Sequence, residues 1–480
     1  MKVKKYDLIV IGTGSAMNIV DPLLRRNPNM KVAVIDKDDP GGICLTRGCI
    51  PTKILLYPAE LIREVKRARE FGIEVEVKDV DFEKVMGRMR KLIGRDIEMI
   101  RRGLSHAPNI DYYPHPASFV APYTLKVAGK YIKGDMIFLC TGSKPFIPPI
   151  KGLQRVEYHT SDTILKIKKR PSSLIIVGGG YIAAEYGHFF SAMGTEVTIV
   201  GRNPQFLPQE EPEISALAKR EMGKYLKIIT NHEVVEVGKT LSGKKRVIAV
   251  DRSTGKRVSF TADEILVAAG RASNSDVLKP EKGGIKTDKK GWILVNEYLE
   301  TSMPNVWAMG DAIGVHLFKH VANYESEVVY YNAVLKRKVK VDYHAVPHAV
   351  FTYPEIASVG MKEAEAIKKY GEDDVLIGIE RYQDTAKGEA MAVKDYFVKV
   401  IVKKDELKIL GAHIIGPQAS VLIQEVINLM YTEEGSAYPM FEAMHIHPAL
   451  SEVVERAFGS LMPPKHYHHV LVEHFGLPEK

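Results

Sequence analysis

Residues 6–17 read Tyr-Asp-Leu-Ile-Val-Ile-Gly-Thr-Gly-Ser-Ala-Met. A short apolar run that ends on glycine predicts a strand buried on both faces of a parallel sheet. The turn Gly12-Thr13-Gly14-Ser15-Ala16-Met17 then lets the N–H groups of a helix N-terminus face a pyrophosphate at close range. Met17 stands where a third glycine would allow the tightest strand–helix packing. Lys31–Asp36, Lys-Val-Ala-Val-Ile-Asp, predicts the next strand, and Asp36 at its end can accept hydrogen bonds from ribose hydroxyls. Strand, glycine turn, helix and strand together predict a dinucleotide-binding unit.

The pattern recurs. Leu174–Val177 is apolar and runs into Gly178-Gly179-Gly180-Tyr181-Ile182-Ala183. A helical stretch to Met193 follows, then a strand over Glu196–Val200, and later Glu264–Ala269 closed by Gly270-Arg271. An internal repeat of this unit implies two dinucleotide-binding domains in one chain. The second repeat ends in Gly201-Arg202 with no acidic residue. A carboxylate there would repel a 2′-phosphate and an arginine attracts it, which points to NADPH over NADH. Between the repeats, helices are predicted over Lys53–Phe71 and Val85–Leu104, and Asp135–Cys140 is an apolar run closed by Thr141-Gly142-Ser143-Lys144-Pro145. Pro148-Pro149 marks a boundary. Val306–Asp311 predicts a short strand leading into a polar loop. From His344 the texture becomes that of an α+β module, and His466-Tyr467-His468-His469 onward reads as a solvated polar tail. The expected domains are 1–150, 151–271, 272–343 and 344–480.

At 480 residues the chain has room for roughly two to four domains. Its 45% hydrophobic and 26% charged residues are those of an ordinary globular protein, which excludes disorder as the main state. A net charge of +8 over this length predicts a solvated basic surface, or a pocket for anionic cofactors, before it predicts a nucleic-acid partner. No apolar run reaches the ~18 residues of a membrane span. Lys2, Lys4 and Lys5 lead straight into the first strand without a cleavage site, so a cytoplasmic location is expected. Three cysteines exclude a disulfide-stapled fold and a four-cysteine zinc or iron–sulfur site, and no metal is expected.

Two of the three cysteines lie in Gly41-Gly42-Ile43-Cys44-Leu45-Thr46-Arg47-Gly48-Cys49-Ile50-Pro51-Thr52-Lys53. Disulfide-linked Cα atoms lie within ~7 Å of each other. Five residues of ideal helix rise ~7.5 Å, so a bridge would need a distorted first turn. Gly48 and Pro51 suit such a turn, and Cys49 at a helix N-terminus would be favoured as thiolate. Further on, His447 stands five residues before Glu452, close enough for a carboxylate to fix the imidazole tautomer while the other nitrogen shuttles a proton. His445 is read as a neighbour and Cys140 as apolar filling.

From Tyr6 to about Phe458 the chain resembles the flavoprotein pyridine nucleotide-disulfide oxidoreductases, the group of dihydrolipoyl dehydrogenase, glutathione reductase, mycothione reductase and mercuric reductase. The resemblance rests on the Cys44–Cys49 segment, Thr141-Gly142, the second glycine turn and Gly310-Asp311. Phe351-Thr352-Tyr353-Pro354-Glu355 and His447-Pro448 with Glu452 complete it. It implies an α/β fold: two Rossmann-like FAD- and NAD(P)-binding domains plus a C-terminal α+β dimerisation domain. FAD would be held by Gly12, Gly14, Ser15, Asp36, Gly42, Lys53, Thr141, Gly142, Gly310 and Asp311. The pyridine nucleotide, NADPH with NADH possible, would be held by Gly178, Gly180, Tyr181, Ala183, Glu185, Arg202 and Gly270. Tyr181 would be the flap over the nicotinamide, and Lys53 and Glu185 an ion pair near the flavin. Cys44 would be the interchange thiol and Cys49 the flavin-side thiol of a redox disulfide. His447 would be the acid/base, oriented by Glu452 and supplied by the other subunit of a homodimer.

Within the group, the absence of cysteine after Cys140 disfavours mercuric reductase and the large thioredoxin reductases, which need a further C-terminal redox pair. The paired cysteines disfavour the soluble transhydrogenases. Ile11-Gly12-Thr13-Gly14-Ser15, Lys319-His320-Val321-Ala322-Asn323 and Ile446-His447-Pro448-Ala449-Leu450 are closest to mycothione reductase. The expected activity is transfer of hydride from NADPH through FAD and the cysteine pair to a small-thiol disulfide. Dihydrolipoyl dehydrogenase, oxidising dihydrolipoamide with NAD, is the alternative.

Overall fold

The computed structural model describes residues 3–475. Its first sheet is built around Val3–Ile11, which pairs in parallel with Val32–Ile35 on one side and Lys130–Leu139 on the other. Ile110–Tyr113 extends one edge in parallel, and Val306–Ala308 joins Lys130–Leu139, also in parallel. An antiparallel hairpin, Ala117–Ala121 with Thr124–Val127, runs off the same strand. Leu8, Ile9 and Val10 are wholly buried, as expected of a strand covered on both faces. Parallel pairing brings the strand ends, and the turns that follow them, to one edge, where ligands bind in such sheets.

The repeat read in the sequence is a structural repeat. Ser173–Val177, the helix Tyr181–Ala192 and Glu196–Val200 reproduce Val3–Ile11, the helix Met17–Arg26 and Val32–Ile35. Glu264–Val267, Lys227–Ile229 and His159–Thr160 complete a second parallel sheet. A separate antiparallel sheet, His232–Lys239, Lys245–Asp251 and Arg257–Ala262, was not expected, because its polar and apolar residues alternate without a run. Ser143–Pro145 and Arg271–Ser273 pair antiparallel, joining the segments that leave the two parallel sheets.

The C-terminal module is one antiparallel sheet in the order Pro347–Val350, Ile356–Gly360, Lys408–Ile415, Phe397–Lys403 and Val375–Arg381. The helices Ala419–Met430 and Ser451–Gly459 pack on it, and its central strands are buried almost throughout. Among the described residues no helix is long and apolar enough to cross a membrane.

One expectation is corrected here. The segment from His466 is not a solvated tail over its described part: Pro464–Phe475 is a helix with Tyr467 and Leu471 buried. Two of its polar groups are drawn inward by charge, while His466 and His469 stay exposed. Tyr467 donates to Glu213 at 2.6 Å, and His468 Nε2 lies 2.7 Å from Glu363 Oε1. Both carboxylates also meet Lys399, a fully buried ammonium that bonds Glu213, Glu363 at 2.7 Å and, at 3.5 Å, Glu211. Burial alone would discharge Lys399. The carboxylates of Glu213, Glu211 and Glu363 overrule it and hold the lysine above its usual pKa. The ammonium fills the space between three carboxylates that a cation could otherwise share. The cluster joins the second nucleotide-binding unit, the C-terminal sheet and the last helix.

Removing one partner of such a group strands buried charge and costs about 3–5 kcal/mol. Lys399→Ala is therefore expected to lower the free energy of unfolding by about that amount in guanidinium titrations; a loss under about 1 kcal/mol would contradict this account of the cluster.

Candidate active site

The turn after Val3–Ile11, the helices Gly42–Arg47 and Cys49–Arg67, and the segment from Gly310 enclose one cavity of about 1190 Å³. That exceeds the ~300–1,000 Å³ of ordinary small-molecule sites and accommodates an extended dinucleotide. Gly12, Gly14, Ser15, Asp36, Gly42, Cys44, Cys49, Lys53, Thr141, Gly142, Tyr181, Glu185, Gly310 and Asp311 all line it. Gly178, Gly180, Ala183, Arg202 and Gly270 belong to the second unit and do not; nor do His447 and Glu452.

The cavity floor is backbone. Gly42 has φ +71°, and a Cβ on it would come within 2.7 Å of the Gly14 Cα, so only two glycines let these turns touch. Among the described residues, the N–H groups of Gly14, Ser15 and Ala16 meet no protein acceptor. Orphaned donors at the start of Met17–Arg26 fit the pyrophosphate of a bound FAD. Asp36 anchors this turn: Oδ2 accepts from Thr13 N at 2.9 Å and Thr13 Oγ1 at 2.5 Å, and Oδ1 from Asp38 N at 3.0 Å. Burial pushes its carboxyl up, against those hydrogen bonds. At the other end of the cavity, Asp311 Oδ2 accepts from Ser143, and Arg271 Nε lies 2.6 Å from Ser143 Oγ.

The two cysteines come from separate helices rather than one distorted first turn. The chain breaks at Gly48 (φ −126°, ψ −118°), where a Cβ would sit 2.8 Å from the Ile43 carbonyl oxygen. Cys49 is the first residue of the second helix, as expected, and is the more exposed of the two. Both residues are thiols in the structure. A hydrogen bond from the Cys49 thiol brings Cys44 down to about 7 despite burial, with Lys319 and the Ile50 and Cys49 N–H groups assisting. Cys49 is pushed well up, first as the donor to Cys44 and then by burial. The first N–H groups of the Cys49–Arg67 helix thus act on the neighbouring sulfur and favour its ionisation.

Beside Cys49, Lys53 Nζ bonds both oxygens of Glu185, at 2.8 and 2.9 Å. Phe351 N donates to Glu185 Oε1 at 3.1 Å, and the Lys53 ammonium lies 4.5 Å from the Phe351 ring centroid. Tyr181 packs against Phe318, and burial pushes its phenol up to about 12. His447 Nδ1 lies 2.8 Å from Glu452 Oε1, and Ala449 N donates to Oε2 at 3.1 Å. The His447 hydrogen bond is the main cause of a lowered Glu452 carboxyl. His447 has 67% of its side chain exposed, whereas His445 is enclosed against Glu425.

Two residues escaped the sequence reading. Lys319 crosses the cavity to Ser15 Oγ at 2.8 Å and lies close enough to the cysteines to bias their charge. Glu325, wholly buried, accepts from Gly310 N at 2.5 Å and from Tyr343 at 2.6 Å, and burial raises its carboxyl to about 7. Glu325 thereby holds the Gly310-Asp311 turn. The string Lys319–Asn323 carried the only signal for Lys319; Glu325, a carboxylate within a helix, carried none.

Comparison with known proteins bears on this geometry. The Pyridine nucleotide-disulphide oxidoreductase family matches residues 6–348, and its dimerisation domain matches residues 346–458. Mycothione reductase of Mycobacterium tuberculosis is 36% identical over 470 residues, covering 95% of this chain and 99% of the relative. Dihydrolipoyl dehydrogenase of Synechocystis sp. is 32% identical over 475 residues, covering 94% and 98%. The solved HOCl-induced flavoprotein disulfide reductase RclA from Escherichia coli superposes with a TM-score of 0.83 at 26% identity, covering 95% of this chain and 99% of that one.

The charge division within the cysteine pair is measurable. In the reduced protein, iodoacetamide should modify Cys44 ahead of Cys49 and of Cys140, whose thiol burial pushes up. The Cys44 rate should rise through about pH 7 as the thiolate forms and level off above it. Peptide mapping at a series of pH values reads this directly, and preferential modification of Cys49 would contradict the assignment.

Proposed function

The chain belongs to the pyridine nucleotide-disulphide oxidoreductase family, and from that premise we propose that it is an NADPH-preferring reductase of a small-thiol disulfide, working as a homodimer. Its class is that of the FAD-dependent flavoprotein disulfide reductases. The observation that carries the proposal is the Cys44–Cys49 pair, brought together across the break at Gly48 and lining the same cavity as Lys53 and Glu185. Gly201-Arg202 at the end of the second repeat supports NADPH. The dimerisation domain supports a homodimer. The exposed His447, off the cavity of its own chain, supports a site that takes its acid/base from the partner. A site fed by NADPH that must keep thiols reduced belongs in the cytoplasm.

In this reading Gly12, Gly14, Ser15, Asp36, Gly42, Thr141, Gly142, Gly310 and Asp311 hold FAD. The second turn, Gly178, Gly180 and Ala183 with Gly270, holds the nucleotide, and Tyr181 covers the nicotinamide. Bound FAD supplies the two-electron relay between the nicotinamide and the cysteine pair. Glu185 fixes the Lys53 ammonium in place beside Cys49. An electron pair and a proton convert the Cys44–Cys49 disulfide into a thiolate and a thiol. Cys44 thiolate attacks the substrate disulfide, giving a mixed disulfide and a departing thiolate that His447 protonates. Cys49, losing its proton to His447, attacks Cys44 sulfur, re-forms the intramolecular disulfide and releases the second thiol. The sum consumes NADPH, one proton and one disulfide, and yields NADP and two thiols.

Three experiments test this. Cys44→Ser should stay yellow with FAD while disulfide reduction falls by at least about 10³-fold, and retained turnover would sink the mechanism. Cys44→Ser and His447→Gln homodimers should each be nearly inactive. Dissociated and re-paired together, half the dimers carry one complete site, so about a quarter of wild-type turnover should return. Assaying lipoamide and dihydrolipoamide with NAD(H) against NADP(H) separates the readings: fast NAD-linked turnover would make this a dihydrolipoyl dehydrogenase.

A further inference from the structure

An exposed ion contact with a phosphate is weak when one guanidinium makes it alone, because water and salt screen it. A 2′-phosphate carries nearly two negative charges at neutral pH, and such groups are held well by several charge-assisted donors. Arg202 is the only arginine that the end of the second repeat itself offers. The structure brings another to the same place from elsewhere in the chain.

Gly201, Arg202 and Asn203 leave the strand Glu196–Val200 and are pinned by backbone hydrogen bonds. Gly201 N donates to Ile229 O at 2.8 Å, His232 N to Gly201 O at 2.9 Å, and Asn231 N to Asn203 O at 2.7 Å. Arg252 follows the strand Lys245–Asp251 of the separate antiparallel sheet, and its N–H donates to Asn231 O at 2.9 Å. Its side chain reaches across, and Nη1 donates to the Arg202 carbonyl at 3.1 Å. Both arginines are exposed, and among the described residues neither has a carboxylate within ion-pair distance. The nearby carboxylate, Asp251, is spent on its own turn, accepting from Ser253 N at 2.8 Å and Thr254 N at 3.3 Å. His232 faces the same edge, its Nδ1 held 2.7 Å from Thr230 O. The strand end where a ribose-binding acid would stand therefore has no side chain at Gly201 and two unneutralised guanidiniums around it.

We propose that Arg252 is the second arm of the NADPH 2′-phosphate site and, with Arg202, determines the preference for NADPH over NADH. This rests on the NADPH reading above and adds a residue to it that lies outside both glycine turns. Four of the five guanidinium N–H donors of Arg252 remain for the phosphate after the bond to Arg202 O, and that bond also orients the fork. The antiparallel sheet thus contributes to nucleotide choice as well as to the packing of its domain.

The test is the Arg252→Ala holoenzyme beside Arg202→Ala, Arg252→Lys and a control, Arg246→Ala, on the exposed face of the same strand. KM for NADPH should rise about 10- to 100-fold in Arg252→Ala, with KM for NADH moving less than about twofold. Arg252→Lys should recover part of the loss, and Arg246→Ala should match wild type. Binding of 2′,5′-ADP, measured by calorimetry, should weaken in parallel. A wild-type preference for NADPH that survives in Arg252→Ala but not in Arg202→Ala would overturn this inference and leave the NADPH reading standing. Equal loss with NADPH and NADH would also overturn it, since Arg252 would then only brace the loop. A wild-type preference for NADH would overturn both.

Discussion

Lys53 and Glu185 belong to different nucleotide-binding units, and the backbone that holds their carboxylate, Phe351 N, belongs to the C-terminal module. The three parts of the chain meet at this ion pair. Glu185 is buried while Lys53 is partly open to the cavity. A buried carboxylate needs both a cation and further hydrogen bonds, and each partner here comes from a different part. The ammonium can sit beside Cys49 only if the helix Cys49–Arg67, the helix Tyr181–Ala192 and the strand Pro347–Val350 with its following segment dock in one arrangement. The site is thus a product of docking, and its electrostatics report whether docking is correct.

The Lys399 cluster is a second ionic contact between the second unit and the C-terminal module. It too draws carboxylates from the second unit, Glu211 and Glu213, onto a residue of the C-terminal sheet. Glu210, next in sequence, takes His348 at 2.7 Å and Ser358 at 2.6 Å. An apolar seam would be as stable, but ionic contacts tolerate no slip in register. A site assembled from three docked parts needs that registration, because catalytic geometry is lost over about an ångström.

At the cysteines the backbone supplies what side chains cannot. The break at Gly48 turns the first N–H groups of the Cys49–Arg67 helix toward the sulfur of Cys44. Those N–H groups and the Lys319 ammonium favour ionisation of Cys44, while Cys49, the more exposed of the two, stands beside the Lys53–Glu185 pair. The helix geometry between them gives two chemically identical residues different surroundings.

The amino-acid sequence by itself determined whatever short spacing can encode. The two glycine turns, the apolar runs before them, the paired cysteines and the His447–Glu452 spacing are all local, so the α/β fold could be read from them and the resemblance to the flavoprotein disulfide reductases rested on them. The polar texture of His466–His469 misled, since a helix can bury tyrosine and histidine once carboxylates wait for them. Contacts such as Lys319 with Ser15, Glu325 with Gly310, Lys399 among its glutamates and Arg252 over Arg202 were decided only by the tertiary structure. Each joins residues far apart in the chain and rests on charge or a single hydrogen bond, which has no periodicity and leaves no pattern until the backbone closes around it.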